Sequence, residues 1–142
     1  MQPTRPLGDP VVFLRGVVRQ IASNDYARAW QTLAPGQQRL VPKGEYVRCE
    51  SASPIPGRLA RIEVVRAYEE PVNVAGTGTD AVDAEAVTFR LEFTEPGLAS
   101  VVVTHTVHAV PAGERWGWIL PANRLELHRS GACGSRPARP PD

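Results

Sequence analysis

The chain has 142 residues, of which 42% are hydrophobic, so one folded domain with a single core is expected. Its 16 basic residues nearly balance its 15 acidic residues, which argues against nucleic acid or an anionic membrane as the main partner. No apolar run approaches the roughly 20 residues that cross a bilayer, so no transmembrane segment is expected. The first ten residues, MQPTRPLGDP, also contain no apolar signal core.

The sequence contains two cysteines, Cys49 and Cys133. Two cysteines are too few for a zinc cluster, and neither belongs to a Cys-x-x-Cys motif. Their number and spacing leave two alternatives open, which are two free thiols or one long-range disulfide. We expect no metal ion and no cofactor.

Helical patterns occupy the first third of the chain. After a segment predicted to be disordered, residues 1–8, a helix starts where Asp9 can cap it and Pro10 suits the first turn. A second helix is predicted in NDYARAWQTLAPG, with a cap at Asn24 or Asp25 and an end at the Pro35–Gly36 pair. A third helical turn is predicted in VPKGEYVRCE.

After Gly57 the apolar spacing changes to a period of two, which is typical of strands. Short turns separate four such segments, so we predict an antiparallel meander. The segments are LARIEVVRAYEEPVNV, DAEAVTFRLEFT, SVVVTHTVHAV and WGWIL. The following PANRLELHRSGAC fits a strand or a short helix that begins at Pro121, and we favour the helix. Residues 134–142 have the composition of a disordered tail. Helices followed by a curved sheet of about four antiparallel strands define an α+β fold.

The strand SVVVTHTVHAV carries two histidines, His105 and His108. Successive side chains of a strand point to opposite faces, so these two cannot bind one metal ion without a bulge between them. The alternating side chains of this strand form two sets, and the set that contains His105 is the more apolar. We therefore predict that His105 faces the helices and that His108 lies on the outer face. An inward histidine can act as a general base, although a buried, hydrogen-bonded histidine is the more common outcome.

The order of NDYARAWQTLAPGQQ, KGEYVRC, four strands and RWGWIL resembles the nuclear transport factor 2-like superfamily, also called SnoaL-like or ketosteroid-isomerase-like. Within it, the chain is most similar to small actinobacterial extracytoplasmic proteins. The resemblance covers residues 9–133, which we treat as one domain. It implies a cone, in which a strongly bent sheet wraps the helices around a pocket.

The resemblance also implies that Cys49 meets Cys133 in a disulfide. Such a bond would place the protein in an oxidising compartment, secreted or anchored to a membrane through a missing N-terminal segment. The alternative is a cytoplasmic protein with two buried thiols.

Some members of this superfamily are enzymes and many others only bind, so the fold alone does not assign a function. The tyrosine and aspartate of the isomerases cannot be placed on this chain. We therefore predict a non-catalytic domain that binds a small apolar ligand or a protein partner. The predicted pocket residues are His105, Trp30, Phe13, Phe89, Phe93, Trp116 and Tyr68.

Two other functions are kept as alternatives. One is a small isomerase, dehydratase or cyclase that uses His105 as its general base. The other is a structural or interaction module with a filled core. Because sheet-to-sheet dimers are common in the superfamily, the resemblance also suggests a homodimer. It would form through an outer face that carries Val102, Thr104, Thr106 and Glu92.

Overall fold

The structure is a computed structural model that describes residues 6–74 and 81–130. Within these ranges it has five helices and a four-stranded antiparallel sheet. The α+β class and the four antiparallel strands agree with the sequence prediction. The helices are α1 (Pro10–Ala22), α2 (Tyr26–Gln31), α3 (Pro35–Leu40), α4 (Lys43–Ser51) and α5 (Ala122–Ser130). The strands are β1 (Arg58–Asn73), β2 (Ala81–Thr94), β3 (Val101–Ala112) and β4 (Arg115–Ile119). The predicted GTGTD turn, Cys133 and the predicted tail lie outside the described residues.

The first helix begins where the sequence predicts. The Asp9 carboxylate accepts a hydrogen bond from the Val11 backbone N–H at 2.8 Å, and Pro10 occupies the first turn. Two residues of the segment predicted to be disordered contact the turn between β3 and β4 and the start of β4. Leu7 donates its backbone N–H to the Glu114 carbonyl at 3.2 Å, and the Gly8 carbonyl accepts from the Trp116 indole at 3.1 Å.

The prediction that the second helix extends to Pro35 and Gly36 is wrong. Helix α2 already ends at Gln31, and Pro35 begins α3, because proline at a first turn loses no hydrogen bond. This extra helix places Gln37, which is 2% exposed, in the core. The Gln37 side-chain oxygen accepts the Leu120 backbone N–H at 2.8 Å and so ties the helices to the chain that leaves β4.

The strands pair in the order β1-β2-β3-β4. The chain between α2 and α3 adds a short parallel bridge to β4, between Leu33 and Trp118. This approach is close, since a Cβ on Gly117 would lie 3.1 Å from the Ala34 Cα. The glycine of the WGWIL segment is therefore what lets the helical layer join the edge of the sheet.

The main core lies between the helices and one face of the sheet, which we call the inner face. Its buried members include Leu14 of α1, Tyr46 of α4, Phe89 of β2 and Trp118 of β4. The C-terminal segment is helical, as favoured from its sequence, and Leu125 of α5 also enters this core. None of the helices in the two described ranges combines the length and apolar character needed to cross a membrane.

The two ends of the sheet are covered differently. The part of β3 that pairs with β4 is residues 108–112. The helices lie over this end of the sheet, which we call the closed end (84–89 of β2, 107–112 of β3, and β4). The open end consists of 58–64 of β1, 90–94 of β2 and 101–104 of β3. Its exposed apolar residues include Val64, Val101 and Val103.

Candidate functional site

The strand register fixes which side chains share the inner face. His105 pairs with Phe89 of β2, and Phe89 in turn pairs with Val64 of β1. Directly paired residues lie on one face of an antiparallel sheet, so His105 shares its face with the fully buried Phe89. The structure thus places His105 on the helix side, where strand alternation predicts it.

His108 lies on the opposite face, as strand alternation also predicts. Its Nε2 atom is 2.8 Å from a carboxylate oxygen of Glu70 on β1. The contact crosses β2 above Ala84 and Ala86, whose small side chains leave room for it. The hydrogen bond from His108 is the main cause that lowers the pKa of Glu70 below its ordinary value.

The predicted aromatic residues converge, but they converge as core. Phe89 and Trp116 are buried in the main core, and Phe13, Trp30 and Phe93 pack against it. Each tryptophan also donates its indole N–H to a backbone carbonyl, Trp30 to Val41 at 2.7 Å and Trp118 to Ala29 at 2.7 Å, beside the bond from Trp116. Their polar atoms are therefore engaged within the protein, as is usual for buried indoles.

Tyr68 does not share the inner face. A register shift between Val64 and Arg66 reverses the alternation of β1, so that Tyr68 pairs with Ala86 on the face of His108. The Arg66 guanidinium lies over the Tyr68 ring, 4.2 Å from its centroid. Regular alternation continued from Ile62 and Val64 predicts that Tyr68 faces inward, because it assumes a strand without a bulge.

A groove opens beside the inner face where the end of α1 meets the start of β1. Its volume is ≈ 530 Å³. Its lining is mixed, with apolar side chains of both elements (Ala22, Leu59, Ala60 and Ile62) beside three arginines (Arg19, Arg58 and Arg61). Leu59 pairs with Phe93 and Ile62 pairs with Leu91, so the groove continues onto the open end of the inner face.

A charged cluster that is not predicted from the sequence joins α4 to α5. Glu50 is 3% exposed, and its carboxylate accepts from Arg124 and lies 2.9 Å from Nε2 of His128. The imidazole of His128 also stacks on Tyr46, with ring centroids 5.3 Å apart. A buried carboxylate between two cation-forming groups anchors α5 on the helical layer.

This cluster includes a group of side chains whose geometry would suit a metal ion. The donor atoms of Cys49, Glu50 and His128 lie within 4.8 Å of one another, and all three residues are buried. However, the same oxygen of Glu50 that faces His128 also bonds the guanidinium of Arg124. The part of the chain that the structure describes also contains no free cysteine. The donor set therefore fits an ion cluster better than a metal centre.

A signal for this cluster was present in the sequence. Arg124 and His128 are four residues apart, so a helix places them on one face. Reading PANRLELHRSGAC as a helix therefore predicts a basic pair that needs an acidic partner. The sequence alone did not indicate that Glu50 would be that partner, because the contact joins segments far apart in the chain.

The chain was compared with family models, with curated proteins and with solved structures, and no match was found in any of the three.

Proposed function

We propose that the chain is a non-catalytic binding domain of the nuclear transport factor 2-like type, which takes a small apolar ligand at the open end of its inner face. One observation carries this proposal, namely that the inner face remains apolar beyond the area that the helices cover. Val64, Val101 and Val103 are 38%, 57% and 37% exposed there. Exposed apolar area of this kind, next to a groove, is typical of a binding surface.

The register supports a continuous ligand seat. Two rows of side chains cross the three strands at the open end, and both rows are apolar throughout. One row is Leu59, Phe93 and Val101, and the other is Ile62, Leu91 and Val103. The groove beside α1 adjoins the β1 members of both rows. In the cone that the family resemblance implies, this end would be the mouth.

The alternative of an enzyme with His105 as general base has weaker support. On β2 the inner-face residues around His105 are Val87, Phe89 and Leu91, which are buried and apolar, so its surroundings are those of a packed core.

Binding of the neutral dye N-phenyl-1-naphthylamine, followed by its fluorescence, tests the proposal. We expect the wild-type protein to bind the dye and Leu59→Gln to weaken binding about tenfold, since the change places an amide in the seat. Val65→Gln is the matched control, because Val65 is also on β1, is 58% exposed and does not line the groove. Equal affinities in the two variants, or no binding by the wild type, would contradict the proposal.

The disulfide and the extracytoplasmic location remain proposals as well. Cys49 is buried on α4, and the described residues include no free cysteine, which supports a bond to Cys133. Closing so long a loop would stabilise the fold by roughly 4–5 kcal/mol in chain-entropy terms. We expect alkylation and mass spectrometry of the native protein to find no reactive thiol before reduction and two after it. Two alkylated thiols without reductant would refute the bond.

A further inference from the structure

The two outer edges of the sheet differ in how they are protected. Strand β1 forms one edge, and it carries exposed charges at Arg58, Arg61 and Glu63, two register shifts and Pro71. Charges, bulges and proline are the features by which natural sheets prevent further strands from pairing with an edge. Strand β1 is therefore a poor template for another strand.

The other edge is that part of β3 which extends past β4. Within the described ranges no strand pairs with residues 101–104 on this side, since the pairing with β4 begins at His108. These four residues, Val101–Thr104, are exposed and uncharged, and three of them are valine. Their pairing with β2 runs without a register shift. An exposed, regular, β-branched edge without charges is a template for strand addition.

We propose that this edge, Val101–Thr104, pairs with the same edge of a second copy of the chain, which joins two sheets in an antiparallel, two-fold symmetric dimer. A second copy fits because the segment is complementary to itself. It contains no charge, so bringing two copies together places no like charges opposite each other. Valine packed against valine also suits the pleated surface of a sheet.

Symmetry specifies which residues meet. If the inner faces of both copies lie on one side of the joined sheet, each residue must face a residue of the same parity, because faces alternate along a strand. Val102 then pairs with Val102 of the second copy, and Val101 pairs with Val103. All of these side chains are between 37% and 57% exposed in the single chain, so pairing would cover apolar surface on both faces.

The same reasoning predicts a dimer and not a fibre. Within the described ranges each copy offers one unprotected edge, the end of β3, because charge protects β1 and the chain around Leu33 is hydrogen-bonded to β4. A two-fold pairing uses the unprotected edge of both copies and leaves only β1 edges at the ends of the joined sheet. The assembly is thus closed after two chains.

Sedimentation velocity of the whole chain over a range of concentrations tests the pairing. We expect a monomer–dimer equilibrium for the wild type and a dissociation constant at least tenfold higher for Val102→Lys and for Val102→Glu, because each places like charges at the symmetry axis. An equimolar mixture of these two variants should recover the dimer, since lysine then faces glutamate. Val65→Lys, an exposed valine of β1, should leave the equilibrium unchanged.

A second control separates edge pairing from packing through the outer face of the sheet. Arg90 is exposed on that face of β2, opposite Thr104. Arg90→Glu should preserve an edge-paired dimer, and exchange of those Val101–Thr104 amides that point away from β2 should slow on dimerisation. A wild-type monomer at all concentrations, loss of the dimer in Arg90→Glu, or slow exchange at these outward-pointing amides in the monomer would overturn the proposal. The dimer and the apolar ligand seat can fail independently, because Leu59→Gln should weaken dye binding and leave the dimer intact.

Discussion

At the closed end of the sheet, Val107 of β3 is 5% exposed, whereas Val103, on the same face of the same strand, is 37% exposed. The residue type, the secondary structure and the face are identical, so the difference comes from what lies above each valine. Helix α1 has 13 residues and spans about 20 Å, while β2 has 14 residues and spans about 46 Å. A layer of short helices cannot cover strands of that length.

The two ends therefore differ in what their side chains contribute. At the closed end, apolar side chains and buried hydrogen bonds stabilise the fold. At the open end, similar side chains remain in contact with water and are available to a ligand or to another chain. Substitutions at the two ends and on the outer face measure this difference as changes in stability and in pKa, and the largest change is expected at the closed end.

The largest loss of stability is expected at the buried carboxylate of Glu50, next to the closed end. Glu50→Gln removes the buried negative charge that pairs with Arg124, and it weakens the contact with Nε2 of His128. Breaking a buried ion pair in this way costs about 3–5 kcal/mol, which urea denaturation would measure. Glu45→Gln on the same helix is the control, because Glu45 pairs with Arg48 at the surface and the change should have little effect. Similar losses for the two variants would mean that the buried cluster does not anchor α5.

The second largest loss of stability is expected for a buried valine of β3, compared with an exposed valine of the same strand. Val107→Ala should lower the free energy of unfolding by about 2 kcal/mol, since it opens a cavity in a packed core. Val103→Ala should lower it by less than about 0.5 kcal/mol, because its side chain is partly in water already. Denaturant titration of the two variants under one set of conditions measures the difference. Equal losses would show that the open end is covered in solution.

Much of the architecture could be predicted because local patterns determine it. The Asp9–Pro10 start of α1, the change of period after Gly57 and the two faces of β3 follow from capping, spacing and alternation. These features depend on neighbours in sequence, which a reader of one chain can see. The helical form of Ala122–Ser130 belongs with them, although its sequence also fits a strand.

The features that could not be predicted depend on contacts between distant residues or on irregular backbone. The bulge after Val64 moves Tyr68 to the other face, and no local pattern indicates it. The contact of Glu50 with α5 joins two helices that are far apart in the chain. Inward-facing residues are predicted by periodicity, but which of them the helices cover depends on the relative lengths of the elements.

The smallest effect concerns the outer face, where Glu70 accepts a hydrogen bond across the sheet. Because His108 lowers the pKa of Glu70, the folded chain favours the ionised carboxylate. Its contribution to stability is therefore present above the ordinary pKa of a glutamate and is lost as the pH falls through the lowered value. The difference in melting temperature between the wild type and Glu70→Gln should shrink over that interval and vanish below it.

A carbon-detected NMR titration tests whether His108 is the cause of the lowered pKa of Glu70. In His108→Leu the pKa of Glu70 should rise toward its ordinary value, because leucine cannot donate the hydrogen bond that is the first cause of the shift. The pKa of Glu45, which the hydrogen bond from Arg48 lowers, should not move in that variant and serves as the internal reference. An unchanged titration of Glu70 would mean that the contact does not persist in solution.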